Sequence, residues 1–258
     1  MKPVQILKCK DKKENFYKKK DMLFDLPCRV LCVGKSQFSG KSSFLLNMLC
    51  QDDSRLYKND FDEIYIFSGS IKSDTKIKNI INVHNIADEN IHENFDEDML
   101  EAIFDLTEED YTEALDAGEK PKHVCVILDD VSFDGSLKKK NNGIINKVFC
   151  NGRHINMSIF VCAQKYSQLQ TTQRENATGV VVWSCSDKQL DLIAEDHNIL
   201  ENGKRQFKSM FRKVTDEPYS FMVINYSNPK ESRYMNMNFQ PIGPCGGVRG
   251  EDCPCETI

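Results

Sequence analysis

The sequence has no long apolar run, no internal repeat and no long linker. None of its apolar stretches approaches the ~18 residues that a membrane-spanning helix requires. The Lys-rich first twenty residues contain no apolar segment typical of a signal peptide. We therefore expect a protein that is neither secreted nor inserted in a membrane, and the missing repeats and linkers argue against a second large domain.

Positive charge is not in excess. The net charge is −5 and the isoelectric point lies near 5.6. Because non-specific nucleic-acid binding depends on Lys and Arg neutralising phosphates, this balance argues against a protein that coats nucleic acid by bulk charge alone. Any nucleic-acid contact is then local, or is assembled from several subunits.

The eleven cysteines do not follow the pattern of a disulfide-stabilised secreted domain. Most lie in apolar runs, where cysteine behaves as a small hydrophobic residue; examples are Cys32, Cys50, Cys125, Cys162 and Cys185. This usage favours a reducing compartment. In the tail, Cys245, Cys253 and Cys255 lie among Gly and Pro and could hold a metal in an oligomer, although the paired spacing of a zinc site is absent.

Short apolar segments alternate with segments of helical periodicity. Six segments have the composition of buried strands: Arg29–Val33, Glu63–Phe67, Val124–Leu128, Ser158–Cys162, Gly179–Trp183 and Ser220–Asn225. Five segments have helical periodicity: Ser42–Cys50, Glu97–Leu106, Glu108–Ala117, Ile144–Cys150 and Asp187–Ile199. The alternation predicts an α/β fold with a mainly parallel central sheet flanked by helices. Ser232–Phe239 is predicted to add an edge strand or a hairpin.

One main domain with two appendages is expected. The main domain is predicted to cover residues 28–240, after a basic extension over residues 1–27. An irregular tail containing Gly, Pro and Cys covers residues 241–258. A chain of this length can bury one substantial core.

The segment Gly34–Ser42 has the features of a phosphate-binding loop. An apolar strand precedes it and an amphipathic helix follows it, which is the order that such loops require. Gly40 lets the backbone approach a phosphate, Lys41 reaches the β- and γ-phosphates, and Ser42 can bind Mg²⁺. The complete predicted phosphate-binding set is Gly34, Lys35, Ser36, Gln37, Phe38, Ser39, Gly40, Lys41, Ser42 and Ser43.

The loop departs from the standard pattern in two places. Five residues separate Gly34 from Gly40, so that Lys35 occupies the first glycine position of the pattern. Phe38 replaces a usual internal glycine. Both changes affect the loop conformation, but neither removes Lys41 or Ser42.

Two carboxylates follow the apolar strand Val124–Leu128. Asp129 is predicted to act with Ser42 in holding Mg²⁺, and Asp130 to orient or deprotonate the attacking water. Many ATPases with a phosphate-binding loop carry Glu at the position of Asp130, and the Asp side chain has a shorter reach. Taken alone, two Asp at a strand end could simply begin a turn. Their combination with the phosphate loop favours the catalytic interpretation.

Three further side chains are candidates for catalysis. Gln164 follows the next predicted strand, where an amide can sense the γ-phosphate or hold the attacking water. Arg153 and Arg174 are candidates for an arginine finger, acting within the chain or from a neighbouring subunit. A surface or ion-paired role is the alternative for each arginine. The basic run Lys138–Lys140 is either a solvated turn or a loop that contacts phosphates.

Together these residues resemble the genome-packaging ATPases of large double-stranded DNA viruses and their virophage relatives, a branch of the FtsK–HerA superfamily that includes the poxvirus enzyme. The resemblance covers roughly residues 28–226. Its most specific part is the Gly-Arg-His turn before the strand that ends at Gln164, and Gln173–Asn176 is also similar. The resemblance rests on the segments Val33–Ser42, Phe61–Ser68, Val124–Asp130 and Gly152–Ser158.

The resemblance implies an additional-strand P-loop fold and a ring-shaped homo-oligomer that uses ATP and Mg²⁺ to move double-stranded DNA into a preformed capsid. It also implies a capsid or portal-vertex partner, and action in viral factories of the host cytoplasm and in the virion. Lys138–Lys140 are then candidates for DNA contact.

Two alternatives stay open. The first is a small-molecule kinase with the same phosphate loop, whose lid would be the basic segment Glu201–Lys213. The second is a nucleotide-dependent assembly switch with little turnover.

Overall fold

A computed structural model of the chain describes residues 18–36, 39–130 and 143–249. Gln37 and Phe38, the run Lys138–Lys140, and Cys253 and Cys255 lie outside these residues. The described helices α1 to α7 are Lys41–Cys50, Thr75–His84, Glu97–Ala117, Gly143–Asn151, Thr171–Asn176, Asp187–His197 and Gly203–Val214. The described strands β1 to β8 are Arg29–Val33, Glu63–Ser68, Ile91–His92, Val124–Asp129, Met157–Ala163, Gly179–Trp183, Phe221–Asn225 and Tyr234–Met235.

The described strands form one sheet in the order β3-β2-β4-β5-β1-β6-β7-β8. The pairs among β1 to β6 are parallel, whereas β7 and β8 are added in antiparallel orientation. β5 lies between β1 and β4, so that Cys162 pairs with both Cys32 and Asp129. β5 thus separates β1, which precedes the phosphate loop, from β4, which ends at Asp129. A strand in this position is characteristic of the additional-strand P-loop fold. The predicted fold class is confirmed.

Helices cover both faces of the sheet. α1 and α2 pack on one face, and α3, α4, α6 and α7 pack on the other. Along β1, Val30 and Cys32 point to the first face, and Leu31 and Val33 to the second. Every residue of β4 and β5 is buried, as predicted for strands covered on both sides.

The segment before β1 is part of the core. Leu23, Phe24 and Leu26 are buried, and the Tyr57 hydroxyl donates to Phe24 O at 2.8 Å. Gly179 in β6 makes room for the Phe24 ring, because a Cβ at that position would overlap the ring. Residues 18–27 therefore pack with the main domain, and the boundaries at residues 28 and 240 stay a prediction.

All six predicted strands are present, with ends that differ by at most one residue. The segment Ser232–Phe239 contributes β8, a short edge strand. The predicted break between two helices around Thr107 is wrong, because α3 is one helix of 21 residues. Thr107 is buried and its hydroxyl donates to Ile103 O at 2.7 Å, so the polar side chain is satisfied inside the helix.

The helices α2, α5 and α7 are absent from the prediction. α2 contains several β-branched residues, which favour strands locally, yet the Asp74 side chain caps its start by accepting from Lys76 N at 2.8 Å. α5 has only six residues, too few to show a helical period. α7 does show one, since its buried residues are Phe207, Met210 and Phe211.

The cysteines of the described apolar runs behave as expected. Cys32, Cys125 and Cys162 are buried free thiols, and Cys50 and Cys185 are partly buried. Within the described ranges, His, Cys, Asp and Glu side chains form no group of three that could hold a metal ion by themselves. In the same ranges, no helix has the length and apolarity needed to cross a bilayer.

Candidate active site

Residues of the predicted phosphate, metal and catalytic sets follow three neighbouring parallel strands. Gly34 follows β1, Asp129 ends β4, and Gln164 follows β5. The carboxyl ends of parallel strands share one edge of the sheet, and open α/β sheets bind ligands there. We call this edge the catalytic edge.

The described residues of the phosphate loop lie around the ammonium group of Lys41. Gly34 N donates to Ala163 O at 3.1 Å, which ties the start of the loop to β5. Lys41 Nζ donates to Gly34 O at 2.7 Å and to Lys35 O at 3.2 Å, and it lies 3.4 Å from Ser39 Oγ. Because Lys41 is buried, its positive charge is concentrated among these residues.

Gly34 and Gly40 are required by the shape of the loop. A Cβ on Gly34 would lie 2.7 Å from Ser39 Cβ and 3.1 Å from Trp183 Cβ. Gly40 has a φ of +84°, in the left-handed region that glycine adopts without strain. The helix α1 begins directly after it, and the first N–H groups of a helix bind anions well. The loop therefore brings backbone donors and one lysine to the same point.

The other predicted loop residues surround this point. Ser39 is buried and donates from Oγ to Lys35 O at 2.5 Å, which closes the loop. Lys35 and Ser36 are exposed on its outer side. Ser42 and Ser43 are partly buried in the first turn of α1.

Asp129 is a buried carboxyl group at the end of β4. Burial raises its pKa to about 6; Asp130 adds to the rise, whereas the Cys162 thiol and the Lys41 ammonium group oppose it. Ser68, at the end of β2, donates from Oγ to Asp129 Oδ2 at 3.5 Å. A cation beside this carboxylate would offset the cost of its burial.

Two of the predicted metal-site side chains have the chemistry that Mg²⁺ requires. Asp129 supplies a carboxylate and Ser42 a hydroxyl group, and both are the hard oxygen ligands that Mg²⁺ prefers. The burial of Asp129, only 3% exposed, supports the same assignment, because a carboxylate is rarely buried without a charge partner.

Asp130 and Gln164 form a direct pair. Gln164 Nε2 donates to Asp130 Oδ1 at 3.0 Å. Asp130 has a φ of +56°, which turns the chain sharply after Asp129. Both side chains are partly exposed, so a water molecule can reach them. The sequence predicts each residue separately, and the hydrogen bond between them is new.

Arg153 and Arg174 lie at the opposite edge of the sheet. Arg153 belongs to the 3₁₀ helix Gly152–Ile155, which precedes β5, and it is exposed. Arg174 lies near the end of α5, which precedes β6. Residues that precede a parallel strand lie at the edge remote from its carboxyl end. Neither arginine is therefore placed to contact phosphates bound to its own loop.

Arg174 is held in a polar network. Its Nη1 donates to Asp196 Oδ2 at 2.6 Å, and its guanidinium group lies 5.2 Å from the centre of the Tyr166 ring. Tyr166 Oη donates to the same carboxylate at 2.8 Å and lies 2.7 Å from His197 Nε2. Arg174 is thus committed to a structural ion pair, whereas Arg153 contacts His154 at 3.3 Å on the surface.

Three residues near the site lie outside the prediction. Ser68 could have been indicated by its position at a strand end beside the acidic strand. Trp183 ends β6 and lies beside Gly34. Tyr219 precedes β7, and its ring approaches Gly40. No local sequence signal marks Tyr219, because its position depends on the antiparallel return of β7.

The basic segment Glu201–Lys213 does not form a lid. Most of it is α7, whose apolar residues pack against the sheet. Three of its basic side chains pair with α6: Lys204 with Glu195, Lys208 with Asp191, and Arg212 with Asp187. The predicted basic lid was the feature that supported the kinase alternative, and this segment no longer supports it.

Family comparison adds the decisive observation. The family model described as Poxvirus A32 protein matches residues 13–237, which is most of the chain. The chain belongs to the poxvirus A32 protein family. As an A32-family member it is a P-loop ATPase of the genome-packaging type, in agreement with the resemblance seen in the sequence. A comparison with curated protein sequences found no match.

Solved structures share the fold of this A32-family chain. The DNA-packaging ATPase B204 from Sulfolobus turreted icosahedral virus aligns with a TM-score of 0.53 at 15% identity, covering 84% of this chain and 99% of that one. The genome packaging NTPase B204 from Sulfolobus turreted icosahedral virus 2, in complex with ATP-gammaS, has a TM-score of 0.51 at 16% identity, with coverages of 80% and 94%. EssC ATPases 2 and 3 from Geobacillus thermodenitrificans give 0.50 at 13% identity, over 68% of this chain and 35% of that one. At these identities the comparison establishes the fold.

Proposed function

We propose that this A32-family ATPase is a motor that uses ATP hydrolysis to move double-stranded viral DNA into a preformed capsid. The observation that carries the proposal is the convergence of Lys41, the buried Asp129 and the Asp130–Gln164 pair at one edge of the sheet. Membership of the A32 family, whose ATPases are of the genome-packaging type, supports DNA as the substrate and a capsid as its destination.

Each side chain of the site has a role in the proposed reaction. Lys41 and the start of α1 bind the β- and γ-phosphates of ATP. Ser42 and Asp129 hold Mg²⁺, which neutralises charge on the phosphate oxygens when bound. Asp130 orients or deprotonates the attacking water. Gln164 fixes the Asp130 carboxylate through its amide hydrogen, and its amide oxygen can accept a hydrogen bond from the same water.

A ring of identical subunits would complete the site. Arg153 is exposed at the edge opposite the phosphate loop, so it can act on a neighbouring subunit but not on its own nucleotide. Arg174 would first have to leave Asp196. We therefore propose Arg153 as the arginine that acts in trans.

Further parts of the proposal concern partners and location. Lys138–Lys140 contact the DNA backbone inside the ring, which reconciles DNA binding with a net charge of −5. A capsid or portal-vertex protein anchors the ring. The motor acts in viral factories of the host cytoplasm and is carried in the virion.

The first experiment is steady-state ATP hydrolysis at two protein concentrations, with and without double-stranded DNA, at defined salt. We expect DNA to stimulate hydrolysis, and the rate to rise more than proportionally with protein concentration because subunits share sites. Lys41→Ala should abolish the activity. Reversing the charge of Lys138–Lys140 should reduce stimulation by DNA and leave basal hydrolysis similar.

The opposite results would exclude the motor. Hydrolysis that is indifferent to DNA and linear in protein concentration would favour a phosphoryl-transfer enzyme or a switch. Equal loss of basal and DNA-stimulated activity in the charge-reversal variant would assign Lys138–Lys140 to folding.

A further inference from the structure

We infer that Tyr219 is the platform on which the base of the bound nucleotide stacks, and that the cavity beside it is the nucleoside subsite. This inference rests on the proposed function, because it takes the phosphate loop to bind a nucleotide. The inference assigns a binding site to the nucleoside, the part of the nucleotide that the phosphate loop does not contact.

The order of the strands sets the direction in which a nucleotide leaves the loop. Asp129 ends β4, which lies to one side of β1, and β6 and β7 lie to the other side. Hydrolysis requires the γ-phosphate to face Asp129 and Asp130. The opposite end of the nucleotide, its nucleoside, is therefore directed towards β6 and β7.

A cavity of about 530 Å³ opens on that side of the loop. Gly40 and Ser43 at the start of α1 form one part of its wall, and Trp183, Tyr219 and Phe221 form another. Its volume lies within the range of about 300 to 1,000 Å³ that is usual for ligand sites, and aromatic side chains are typical of such walls. The cavity is thus continuous with the phosphate loop and large enough for a nucleoside.

Tyr219 is exposed although its aromatic neighbours are buried or partly buried. The residue is 61% exposed, whereas Trp183 is 2% exposed and packs against Phe221 with a centroid distance of 5.0 Å. Tyr219 O accepts a hydrogen bond from Trp183 Nε1 at 3.2 Å, which anchors the backbone below the ring. An exposed aromatic face on a fixed backbone is suited to stacking against a flat ligand.

The backbone at Tyr219 is strained in a way that places this ring beside the loop. Its φ of +65° is rare for a bulky residue, and such strain is concentrated at functional sites. The ring carbon Cδ1 lies 3.9 Å from the position that a Cβ on Gly40 would occupy. The base of a nucleotide leaving the loop at Gly40 and Ser43 would meet the face of Tyr219 first.

Amide side chains in the wall of the cavity suit the edge of a base. Asn47, Gln51 and Asn238 line the same cavity, and Gln51 Nε2 donates to Asn47 Oδ1 at 3.0 Å. An amide can both donate and accept, as the edge of a nucleobase requires. Stacking on Tyr219 and hydrogen bonds from this wall are complementary parts of one subsite.

The test measures the contribution of the base to binding affinity separately from that of the phosphates. Calorimetric titrations of the full-length protein with ATP and with inorganic tripolyphosphate, both with Mg²⁺, compare wild type with Tyr219→Ala. We expect the variant to bind ATP about tenfold more weakly, the effect of losing one stacked base. Its affinity for tripolyphosphate should not change, and Tyr219→Phe should retain wild-type affinity for both.

A second readout comes from Trp183, the single tryptophan of the chain, which lines the same cavity. In the wild type, ATP should change its fluorescence more than tripolyphosphate does, because Trp183 lies beside the phosphate loop as well as in the wall of the cavity. Tyr219→Gly removes the ring and tolerates positive φ, so it should reproduce the loss of ATP affinity even if Tyr219→Ala folds poorly. Leu106→Ala, at an exposed position on α3, is the matched control and should bind both ligands as wild type does.

Four outcomes would overturn the inference. Wild-type affinity of Tyr219→Ala and Tyr219→Gly for ATP would exclude stacking. An equal loss of affinity for ATP and tripolyphosphate would assign Tyr219 to the shape of the loop. Failure of the wild type to bind either ligand, or no effect of Lys41→Ala on both, would overturn the proposed function itself and the inference with it.

Discussion

At the scale of single residues, the hydrogen bond from Gln164 to Asp130 gives the pair that is proposed to activate water a defined geometry. Asp130→Asn keeps the shape of the side chain but removes its ability to accept a proton. We expect nucleotide binding to be unchanged and turnover to fall by about 10²- to 10⁴-fold. Binding titrations and single-turnover hydrolysis would measure the two effects separately. Normal turnover would remove Asp130 from catalysis.

Gly34 tests the shape of the phosphate loop. In Gly34→Ala, the new methyl group would lie 2.7 Å from Ser39 Cβ, so the loop must shift. We expect a loss of about 1–3 kcal/mol in the free energy of unfolding, together with weaker ATP binding. Gly143→Ala is the control, because a Cβ there meets nothing within 4 Å. Equal ATP affinity of the two variants would show that the loop tolerates the shift.

At the scale of elements, the strands were predictable because burial on both faces leaves continuous apolar runs, as in β4 and β5. The helices were harder, because each has only one apolar stripe. α2 depends on an Asp74 cap and on two buried residues, Ile77 and Ile80, and its β-branched composition points the other way. Its helical form is imposed by packing on α1 and the sheet.

The segment before β1 provides a test at this scale. Phe24 is fully buried and its ring packs edge-on to Phe239 at 6.2 Å. Phe24→Ala should lower the free energy of unfolding by about 3–5 kcal/mol, measured by urea titration, because it leaves a cavity in the core. Met99→Ala, at an exposed position on α3, should change it little. An unaltered stability in Phe24→Ala would separate residues 18–27 from the main domain.

At the scale of the whole molecule, strand direction decides which predicted residues meet. Lys41, Asp129 and Gln164 follow or end parallel strands. The local sequence was therefore sufficient to predict that they lie at one edge of the sheet. Arg153 precedes such a strand and lies at the other edge, which the order of the sequence could have indicated. Tyr219 also precedes a strand but lies at the catalytic edge, because β7 is antiparallel. That reversal is a property of the assembled sheet and carries no local signal.

The network around His197 couples the stability of the molecule to pH. Burial lowers the pKa of His197 to about 4; Arg174 lowers it further and Asp196 opposes the shift. Between pH 6.5 and 4 the unfolded chain binds a proton at this position and the folded chain does not, so stability falls as the pH drops. His197→Gln removes this contribution.

Urea titrations at pH 7 and pH 5 would measure the effect. From pH 7 to pH 5, the free energy of unfolding should fall by about 2 kcal/mol more in the wild type than in His197→Gln. His123, whose pKa burial also lowers to about 4, is present in both proteins and cancels in the comparison. Equal losses would show that His197 is protonated in the folded protein.

The central position of β5 has a mechanical consequence. The strand is hydrogen-bonded to β1 and β4 and buried on both faces over a length of roughly 20 Å. A close-packed strand of this kind is stiff and does not shorten under load. One end carries the turn with Arg153, and the other carries Gln164. In the proposed ring, a load applied by a neighbouring copy at the turn with Arg153 would therefore be carried by the same stiff strand that ends beside Gln164.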